Sequence, residues 1–385
     1  MYVFPDKKRV HLYKYFAEHI NRRYVMNFIK SSIILLAAGS MCISCKNADK
    51  YISIQGYAQG GTYTVKLNLQ TGNGLVKKSP EEIRNGIDSI LNCIDTTLSG
   101  YNKGSLLSRF NAGDSVYVSR HGMFEDIYTM AWDYEKETGG ALDAAAGPIF
   151  DLWGFGFSTD SLPSDDQVRE VLKDCGMNRL RRDIVNDTNT GKFITSSDAL
   201  LEELKGGVPA RLNFNAIAQG YSCDVVAAYL YGLGVKDMLV DIGEIYLDGL
   251  NPNGEPWKVG IDRPVDGNND PGKDLDGIWK SSGAACGIVT SGNYRKYYIQ
   301  DGKKYAHTIN PRTGHPVDHN LLSATIVAKN ATDADAYATY CMVIGLEKAR
   351  EFIEGRPDEL AGYLIYSDAD GSMQEWQSDN FNVDQ

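Results

Sequence analysis

The hydrophobic positions of the chain predict helices and strands that do not alternate regularly. Isoleucine and leucine recur on one helical face from Ile83 to Leu98. The segment Ser79-Pro80-Glu81-Glu82 before them is a capping box with proline at the first helical position, so a helix is expected to begin there. Further helices are predicted at about residues 123–137, 164–176, 216–233 and 332–354.

Short apolar runs bounded by turn residues predict strands in the second half of the chain. These runs are DMLVDIGEIYLDG, PWKVGI, AACGIVTSG, YYIQDGKKYAHTI and SATIVA. Asp301-Gly302 and Asp370-Gly371 are typical of hairpin turns. Because the helices and strands are mixed without repeated βαβ units, the pattern predicts an α+β fold and not a doubly wound one.

The first 45 residues have the pattern of an export signal. An apolar run begins at Ile33, is shorter than the roughly 20 residues of a membrane-spanning helix, and is followed by small residues. Ser44-Cys45 resembles a bacterial lipoprotein processing site, while an uncleaved anchor or cleavage elsewhere remain alternatives. We expect residues 1–45 to be an extension and lipoprotein-type signal peptide, with Met26 as a possible true start, and residues 46–385 to form one domain. The protein would then be lipid-anchored in the bacterial cell envelope, on the periplasmic face of the inner membrane.

Charge and motif content narrow the possible functions. The 385 residues carry a net charge of −11, which argues against a nucleic-acid binder because phosphate contacts need clustered Lys and Arg. A small phosphate-bearing ligand is still compatible, since backbone N–H groups or a bound cation can offset the repulsion. The sequence has no signature of a P-loop enzyme, a Rossmann dehydrogenase or an α/β-hydrolase.

Asp335 and Thr339 are the first candidates for chemistry. They lie four residues apart and hence on one face of a predicted helix, where a carboxylate and a hydroxyl suit Mg²⁺. Simple capping explains the same segment, with Thr332 or Asp333 as the cap and Asp335 favoured near the positive end of the helix.

Other polar, glycine-rich segments leave similar alternatives open. The segment from Asn213 to Gly220 could hold a phosphate with its backbone N–H groups, or it could be an asparagine-capped helix start. His307 could act as an acid or base, although a lone strand histidine is more often structural. Arg312 could hold an anion or pair with an acid. Tyr101 could stack on a base, or it could be a core aromatic.

Taken together, and in this order, these segments resemble the ApbE family of FAD:protein FMN transferases. The matching motifs are Gly60-Gly61-Thr62, LSGYNKGSLLSRFN, ALDAAAGPIFDLWGFG, NAIAQGY, PWKVGI, TSGNYR, HTINPRTG and ADAYAT, over about residues 56–355. The resemblance implies a single catalytic domain related to the T-fold, with mixed, mostly antiparallel sheets flanked by helices. It also implies a Mg²⁺-dependent enzyme that moves the FMN half of FAD through a phosphoester bond onto a Thr or Ser hydroxyl of a partner flavoprotein and releases AMP. The implied partners are subunits of ion-translocating NADH:quinone reductase-type complexes.

The same resemblance assigns roles residue by residue. The catalytic residues would be His307 and Asp335. The FAD contacts would come from Gly60, Tyr101, Ala141, Leu142, Asp143, Asn213, Gln219 and Ile309. The metal would be held by Ala216, Asp335, Ala338 and Thr339, with only backbone atoms contributing from the two alanines.

Four positions depart from the family pattern. Gly60 stands where Met is usual, Asn213 where Asp is common, Gln219 in place of a Lys or another charged residue, and Glu244 in place of a second Gly. We therefore expect activity with an altered affinity for the flavin. Two alternatives are a Mg²⁺-dependent FAD pyrophosphatase, which would release FMN and AMP, and a non-catalytic FAD-binding lipoprotein.

Overall fold

The computed structural model describes residues 50–384 except 73, 114–121, 155–161, 181–184, 187–192, 195–210, 266, 269, 271, 295–296 and 301–302. The expected signal peptide, the domain boundary at residue 46 and the Asp301-Gly302 turn therefore lie outside the described residues. Within the described part of the chain, no helix combines the length and the apolar character needed to cross a bilayer.

The described elements alternate irregularly along the chain, as the sequence pattern predicted. The helices are α1 (Pro80–Leu98), α2 (Leu106–Asn111), α3 (Met123–Glu137), α4 (Gly147–Leu152), α5 (Asp165–Leu172), α6 (Ala218–Gly232), α7 (Ala331–Ile344) and α8 (Leu346–Glu354), with a 3₁₀ turn at Met177–Arg179. The strands are β1 (Tyr51–Ala58), β2 (Gly61–Asn68), β3 (Gln70–Thr71), β4 (Gly74–Leu75), β5 (Val185–Asn186), β6 (Phe193–Ile194), β7 (Met238–Asp241), β8 (Ile245–Asp248), β9 (Lys258–Asp262), β10 (Leu275–Lys280), β11 (Cys286–Gly292), β12 (Tyr297–Gln300), β13 (Lys303–Ala306), β14 (Ile309–Asn310), β15 (His315–Pro316), β16 (Leu321–Ala328), β17 (Leu360–Ser367), β18 (Met373–Gln377) and β19 (Val383–Asp384).

A central antiparallel sheet organises the fold. Its strand order is β1-β2-β7-β8-β11-β16-β17-β18, and every neighbouring pair is antiparallel. The smaller sheet β19-β10-β9 packs on one face through Trp257, Trp279 and Phe381. Helices α1, α3, α6 and α7 contribute to the main core on the other face. The prediction of an α+β fold with mostly antiparallel sheets flanked by helices is confirmed.

Local sequence signals account for some of the helix boundaries. α1 begins at the predicted capping box, in which the Ser79 hydroxyl accepts from the Glu82 N–H and the Glu82 carboxylate accepts from the Ser79 N–H. The single helix expected at 332–354 is wrong, because it is divided at Gly345 into α7 and α8. Gly345 has φ +79°, a left-handed conformation that favours glycine and ends a helix.

α7 is enclosed by its neighbours along most of its length. It packs against β11, β16 and α6, and its first two turns are buried on all sides. Two glycines allow this close approach. A Cβ on Gly220 of α6 would lie 2.3 Å from the carbonyl oxygen of Ala331, and a Cβ on Gly287 of β11 would lie 2.3 Å from the Cα of Ala331. These contacts fix where the side chains of α7 are presented.

Candidate active site

A cavity of about 960 Å³ lies where α6 and α7 meet the β1–β2 hairpin and the end of β11. Its size is in the range of small-molecule and cofactor sites. It is lined by the residues predicted to bind FAD, to hold the metal or to catalyse, namely Gly60, Tyr101, Ala141, Leu142, Asp143, Asn213, Ala216, Gln219, His307, Ile309, Asp335 and Thr339. Ala338 is fully buried and does not line the cavity.

We call Asp335 and Thr339, which line the cavity, together with Gly220, which bonds to Asp335 from α6, the floor. The Asp335 side chain is only 4% exposed, and its Oδ2 accepts a hydrogen bond from the Gly220 N–H at 3.0 Å. Burial raises the pKa of the Asp335 carboxyl; the Gly220 N–H opposes this rise and the nearby Asp224 adds to it. The Thr339 hydroxyl, one turn further along α7, lies 3.4 Å from the Ser291 hydroxyl.

The floor has a donor set that fits a hard divalent cation. Asp335 is a buried carboxyl that faces the cavity, and no Lys or Arg among the described residues lines that cavity. A buried carboxylate without compensation is costly, so a cation there would be stabilising. The described residues contain no group of three or more His, Cys, Asp or Glu side chains placed to share a metal. One carboxylate with the Thr339 hydroxyl, the Ala216 carbonyl, water and ligand oxygens is the kind of set that Mg²⁺ accepts.

The start of α6 differs from both interpretations of its sequence. The Asn213 side chain does not cap the helix; its Oδ1 accepts from the Asn215 N–H at 2.8 Å. α6 begins after Ile217, without a side-chain cap. The N–H groups of Ile217 and Ala218 donate to the Phe214 carbonyl, and that of Gly220 donates to Asp335. These three N–H groups are engaged within the protein, which leaves fewer donors at the start of α6 for a phosphate.

The start of α7 is capped by residues other than those predicted. Neither Thr332 nor Asp333 is the N-cap. Asn330 takes that position, and its Oδ1 accepts from the Asp333 N–H at 2.7 Å. The N–H groups of Ala331 and Thr332 donate to the Asp224 carboxylate, at 2.9 Å each. The first turn of α7 therefore has its donors satisfied by side chains, from its own cap and from α6.

Asp143 combines a structural role with a position in the cavity. Its carboxylate accepts from the Ala145 N–H at 2.8 Å and from the Met177 N–H at 3.1 Å. Burial raises the pKa of Asp143 to about 6, although these backbone hydrogen bonds oppose the rise. Each carboxylate oxygen has two lone pairs, so Asp143 can still accept from a ligand while it holds the surrounding loops.

We call the residues at the mouth of the cavity, Tyr57, Gln59, Gly60, Tyr101 and Asn215, the rim. The tyrosines are strongly exposed, Tyr57 at 74% and Tyr101 at 62%. Gln59-Gly60 is a two-residue turn with positive φ at both positions, and the Gln59 amide donates to the Ser222 hydroxyl at 2.5 Å. The rim thus offers two aromatic faces to a ligand, that of Tyr57 from a hairpin tied to α6 and that of Tyr101 from the segment after α1.

His307 lines the cavity from the segment between β13 and β14. The next residue, Thr308, donates its hydroxyl to the Asn293 side-chain oxygen at 2.7 Å. Ile309 follows and is buried in a small core with Trp153. These contacts anchor the segment that carries His307, so a group able to accept or donate a proton lies in the same cavity as Asp335.

Comparison with known proteins identifies the family of this chain. A family model described as the ApbE family matches residues 59–364. The chain belongs to the ApbE family. It is 32% identical over 358 residues to the FAD:protein FMN transferase of Haemophilus influenzae, covering 92% of this chain and 97% of that one. It is 31% identical over 364 residues to the FAD:protein FMN transferase of Escherichia coli K12, covering 91% and 95%.

Solved structures agree with this assignment. The flavin transferase ApbE from Vibrio cholerae superposes with a TM-score of 0.69 and 30% identity, covering 86% of this chain and 97% of that chain. The apo flavinyl transferase ApbE from Pseudomonas stutzeri gives a TM-score of 0.70 and 29% identity, covering 86% and 95%. The resemblance predicted from the motifs is confirmed.

In this ApbE-family chain, the positions that depart from the expected pattern all face the cavity. Gly60 leaves open space at the rim, since a Cβ added there would meet no atom within 4 Å. The Gln219 amide points to the Ile242 carbonyl at 3.4 Å, and Glu244 contributes a carboxyl to the lining. Asn213 uses its side-chain oxygen in a local turn. The cavity therefore retains its floor while its rim and walls differ from the pattern.

Arg312, which could hold an anion or pair with an acid, bonds to the backbone of a helix end in this ApbE-family chain. Its guanidinium donates to backbone carbonyls at the end of α3, from Nε to Gly139 at 2.7 Å and from Nη2 to Thr138 at 3.0 Å. It thereby satisfies carbonyls that the helix end leaves unpaired.

The sequence analysis missed Tyr57 and Gln59 as residues that line the cavity, and it gave Asn215 and Ser291 no individual role within the segments that it singled out. The sequence signal that could have identified Tyr57 and Gln59 was the Gln-Gly turn between two strands of alternating polarity, which predicts a hairpin tip.

Proposed function

We propose that this chain is a Mg²⁺-dependent FAD:protein FMN transferase. The proposal rests on one cavity in this ApbE-family chain. That cavity is lined by the Asp335 carboxyl and the Thr339 hydroxyl of α7, by His307 and by the exposed ring of Tyr101. The relatives named FAD:protein FMN transferase match this chain over nearly their whole length, which supports the same reaction here.

The proposed reaction breaks the phosphoanhydride bond between the two halves of FAD and forms a phosphoester on the acceptor. The oxygen of a Thr or Ser hydroxyl on the acceptor protein forms a bond to the phosphorus of the FMN half of FAD. The bond from that phosphorus to the bridging oxygen breaks, and AMP leaves with the electron pair. The hydroxyl proton passes to a base, for which His307 is the candidate. This chemistry depends on positioning and on neutralisation of charge, and it needs no covalent intermediate on the enzyme.

A cation explains how an acidic cavity could receive a pyrophosphate. The lining includes the carboxyls of Asp95, Asp143, Glu244 and Asp335, and it has no Lys or Arg among the described residues. The start of α7 and much of the start of α6 engage their N–H groups internally. We propose that Asp335 and Thr339, with the Ala216 carbonyl, hold Mg²⁺, which when bound supplies the neutralising charge for the pyrophosphate.

The acceptor and the location complete the proposal. The FMN transferase name of the relatives implies a protein acceptor. We propose a flavoprotein subunit of an ion-translocating NADH:quinone reductase-type complex. The lipoprotein-type pattern before Cys45 supports anchoring at the periplasmic face of the inner membrane, where such a complex would be accessible.

The test is to incubate the purified protein with FAD, Mg²⁺ and an acceptor domain, and to follow covalent flavin by in-gel fluorescence together with AMP. Equal amounts of covalent FMN and AMP are expected. AMP and free FMN without labelled acceptor would identify a pyrophosphatase, and bound intact FAD would identify a carrier.

Variants of the two catalytic candidates test their roles. Asp335→Ala should lower transfer on the order of 100-fold or more, because a charge-stabilising group is lost. His307→Ala should lower it about 100-fold, as expected for loss of a general base. His315→Ala is the matched control, because His315 lies nearby in β15 but does not line the cavity. Unchanged transfer by either cavity variant would refute the role assigned to that residue.

A further inference from the structure

The first turn of α7 is held by a carboxylate from another helix. Asp224 lies in α6, and its Oδ1 accepts from the Ala331 N–H at 2.9 Å. Its Oδ2 accepts from the Thr332 N–H at 2.9 Å and from the Thr332 hydroxyl at 2.5 Å. One side chain thus satisfies three donors that are 107 or more residues away in sequence. It links α6 to α7 in a way that the local cap, Asn330, cannot.

Close backbone packing leaves this turn little freedom to move. Gly220 of α6 and Gly287 of β11 both approach Ala331 so closely that a Cβ on either glycine would collide with its backbone. On a further side, the Tyr134 hydroxyl of α3 donates to Asp333 at 2.5 Å. The first turn of α7 is therefore packed between α6, β11 and α3. Asp224 of α6 contributes hydrogen bonds to the backbone of this turn.

The position of this turn sets the position of the floor. Asp335 and Thr339 follow Ala331 by four and eight residues, one and roughly two helical turns. Because an α-helix is stiff along its axis, a displacement of its first turn carries both side chains with it. The Gly220 N–H that bonds to Asp335 comes from the same helix as Asp224.

We infer that Asp224 is a positioning residue for the cation site formed by Asp335 and Thr339, acting through the backbone of Ala331 and Thr332. The inference rests on the cation site of the proposed function. It assigns to Asp224 an effect on cation affinity beyond its contribution to folding, and it predicts that weakening the three hydrogen bonds reduces that affinity.

Three variants separate this role from general stability and from charge. Asp224→Asn removes one accepting oxygen and the negative charge. Thr332→Val removes one of the three hydrogen bonds and leaves the charge of Asp224 in place. Asn330→Ala is the matched control, because it removes the cap of the same helix without touching the link to α6.

The measurement is Mn²⁺ binding to the purified protein, by electron paramagnetic resonance of the free ion, with and without FAD. Mn²⁺ is a suitable probe because it prefers the same oxygen ligands as Mg²⁺. Asp224→Asn should raise the dissociation constant about 10-fold, the effect typical of groups that orient a metal ligand. Thr332→Val should raise it about threefold, as expected for one lost hydrogen bond. Asn330→Ala should lower the melting temperature and leave the affinity within about twofold.

The kinetic readout should follow the same order. Transfer by Asp224→Asn should show a lower kcat with little change in the KM for FAD, and excess Mg²⁺ should restore part of the rate. Unchanged Mn²⁺ affinity in both Asp224→Asn and Thr332→Val, with a loss of melting temperature like that of Asn330→Ala, would overturn the inference. If Asp224→Asn does not fold, the affinity of Thr332→Val decides.

The proposed function can fail separately from this inference. A protein that binds Mn²⁺ with the expected order of affinities but transfers no FMN would refute the transferase and support the role of Asp224. A wild-type protein that binds no Mn²⁺ would overturn the inference, whatever its reaction with FAD.

Discussion

The floor and the rim of the cavity differ in how their residues are held. At the floor, Asp335 is almost completely buried and bonds to the backbone of α6. At the rim, Tyr57 and Tyr101 expose most of their surface. The hydrogen bond from the Asn215 amide to the Tyr101 hydroxyl is 3.5 Å long and therefore weak. The residues proposed to handle charge are thus fixed by folding, whereas those proposed to contact the flat rings of the ligand are free to adjust.

Glycines show the same contrast. A Cβ on Gly220 of the floor would lie 2.3 Å from a backbone oxygen, while one on Gly61, beside the rim turn, would meet no atom within 4 Å. Packing at the floor cannot absorb an added methyl group without moving a helix, because protein interiors are close-packed. The comparison therefore predicts that changes at the floor affect stability and that changes at the rim affect binding.

The largest effect on stability is expected from Gly220→Ala. Its Cβ would collide with the carbonyl of Ala331, so the free energy of unfolding should fall by about 3 kcal/mol, at the upper end for an overpacked core. Urea unfolding followed by tryptophan fluorescence measures this change. Gly61→Ala is the matched control and should stay within about 0.5 kcal/mol of the wild type. Equal losses of unfolding free energy in Gly220→Ala and Gly61→Ala would show that the floor is packed no more tightly than the rim.

A second effect on stability is expected at Asp126 in α3. Burial raises the pKa of Asp126 to about 7, and Glu125 adds to the rise. The Asp126 Oδ2 is buried without a hydrogen-bond partner among the described residues, as is the hydroxyl of Tyr221 beside Gly220. Between about pH 4 and pH 7 the unfolded state ionises at this position and the folded state does not. The free energy of unfolding contributed by Asp126 is therefore present at low pH and is lost as the pH rises through 7.

Asp126→Asn should remove this dependence, because an amide does not ionise. At pH 8 the variant should be more stable than the wild type by about 2 kcal/mol, and at pH 4 the two should differ little. Thermal unfolding across this pH range is the measurement. Asp133→Asn, on the exposed face of the same helix, is the control. A variant that keeps the wild-type pH profile would show that Asp126 is hydrated in the folded state.

The floor also shows what could be predicted from the sequence. The starts of α6 and α7 were expected close to their observed positions, and Asp335 and Thr339 were expected on one face of α7. The side chains that bond to the first turn of α7 were not predicted, because local spacing cannot reveal that Asp224 bonds to Ala331 and Thr332 from another helix. The break at Gly345 was missed because α7 is buried on nearly all sides and has no polar face whose end would mark it.

The rim was harder to predict from the residues themselves. Tyr101 was assigned to the FAD site through the family resemblance. The spacing of residues around a tyrosine that follows a helix does not tell a ligand-binding tyrosine from any other. Tyr57 was missed because an aromatic residue in an alternating strand is typical of any sheet. Contacts between segments more than 100 residues apart place both at the cavity: the β1–β2 hairpin that carries Tyr57 bonds to α6, and the Tyr101 hydroxyl meets the Asn215 amide.

The smallest effect, and the one confined to binding, is expected at Tyr101. If its ring stacks on a flat ring of FAD, Tyr101→Ala should raise the KM for FAD about 10-fold, within the range of about 1–3 kcal/mol for such stacking. The free energy of unfolding should stay within about 0.5 kcal/mol, because the side chain is mostly exposed. Tyr101→Phe keeps the ring and loses only the weak contact with Asn215, so its KM should stay within about twofold of the wild type. A loss of stability in Tyr101→Ala comparable to that of Gly220→Ala would show that the rim is as rigidly built as the floor, and a fall in kcat at unchanged KM would place Tyr101 in the transfer step instead of in FAD binding.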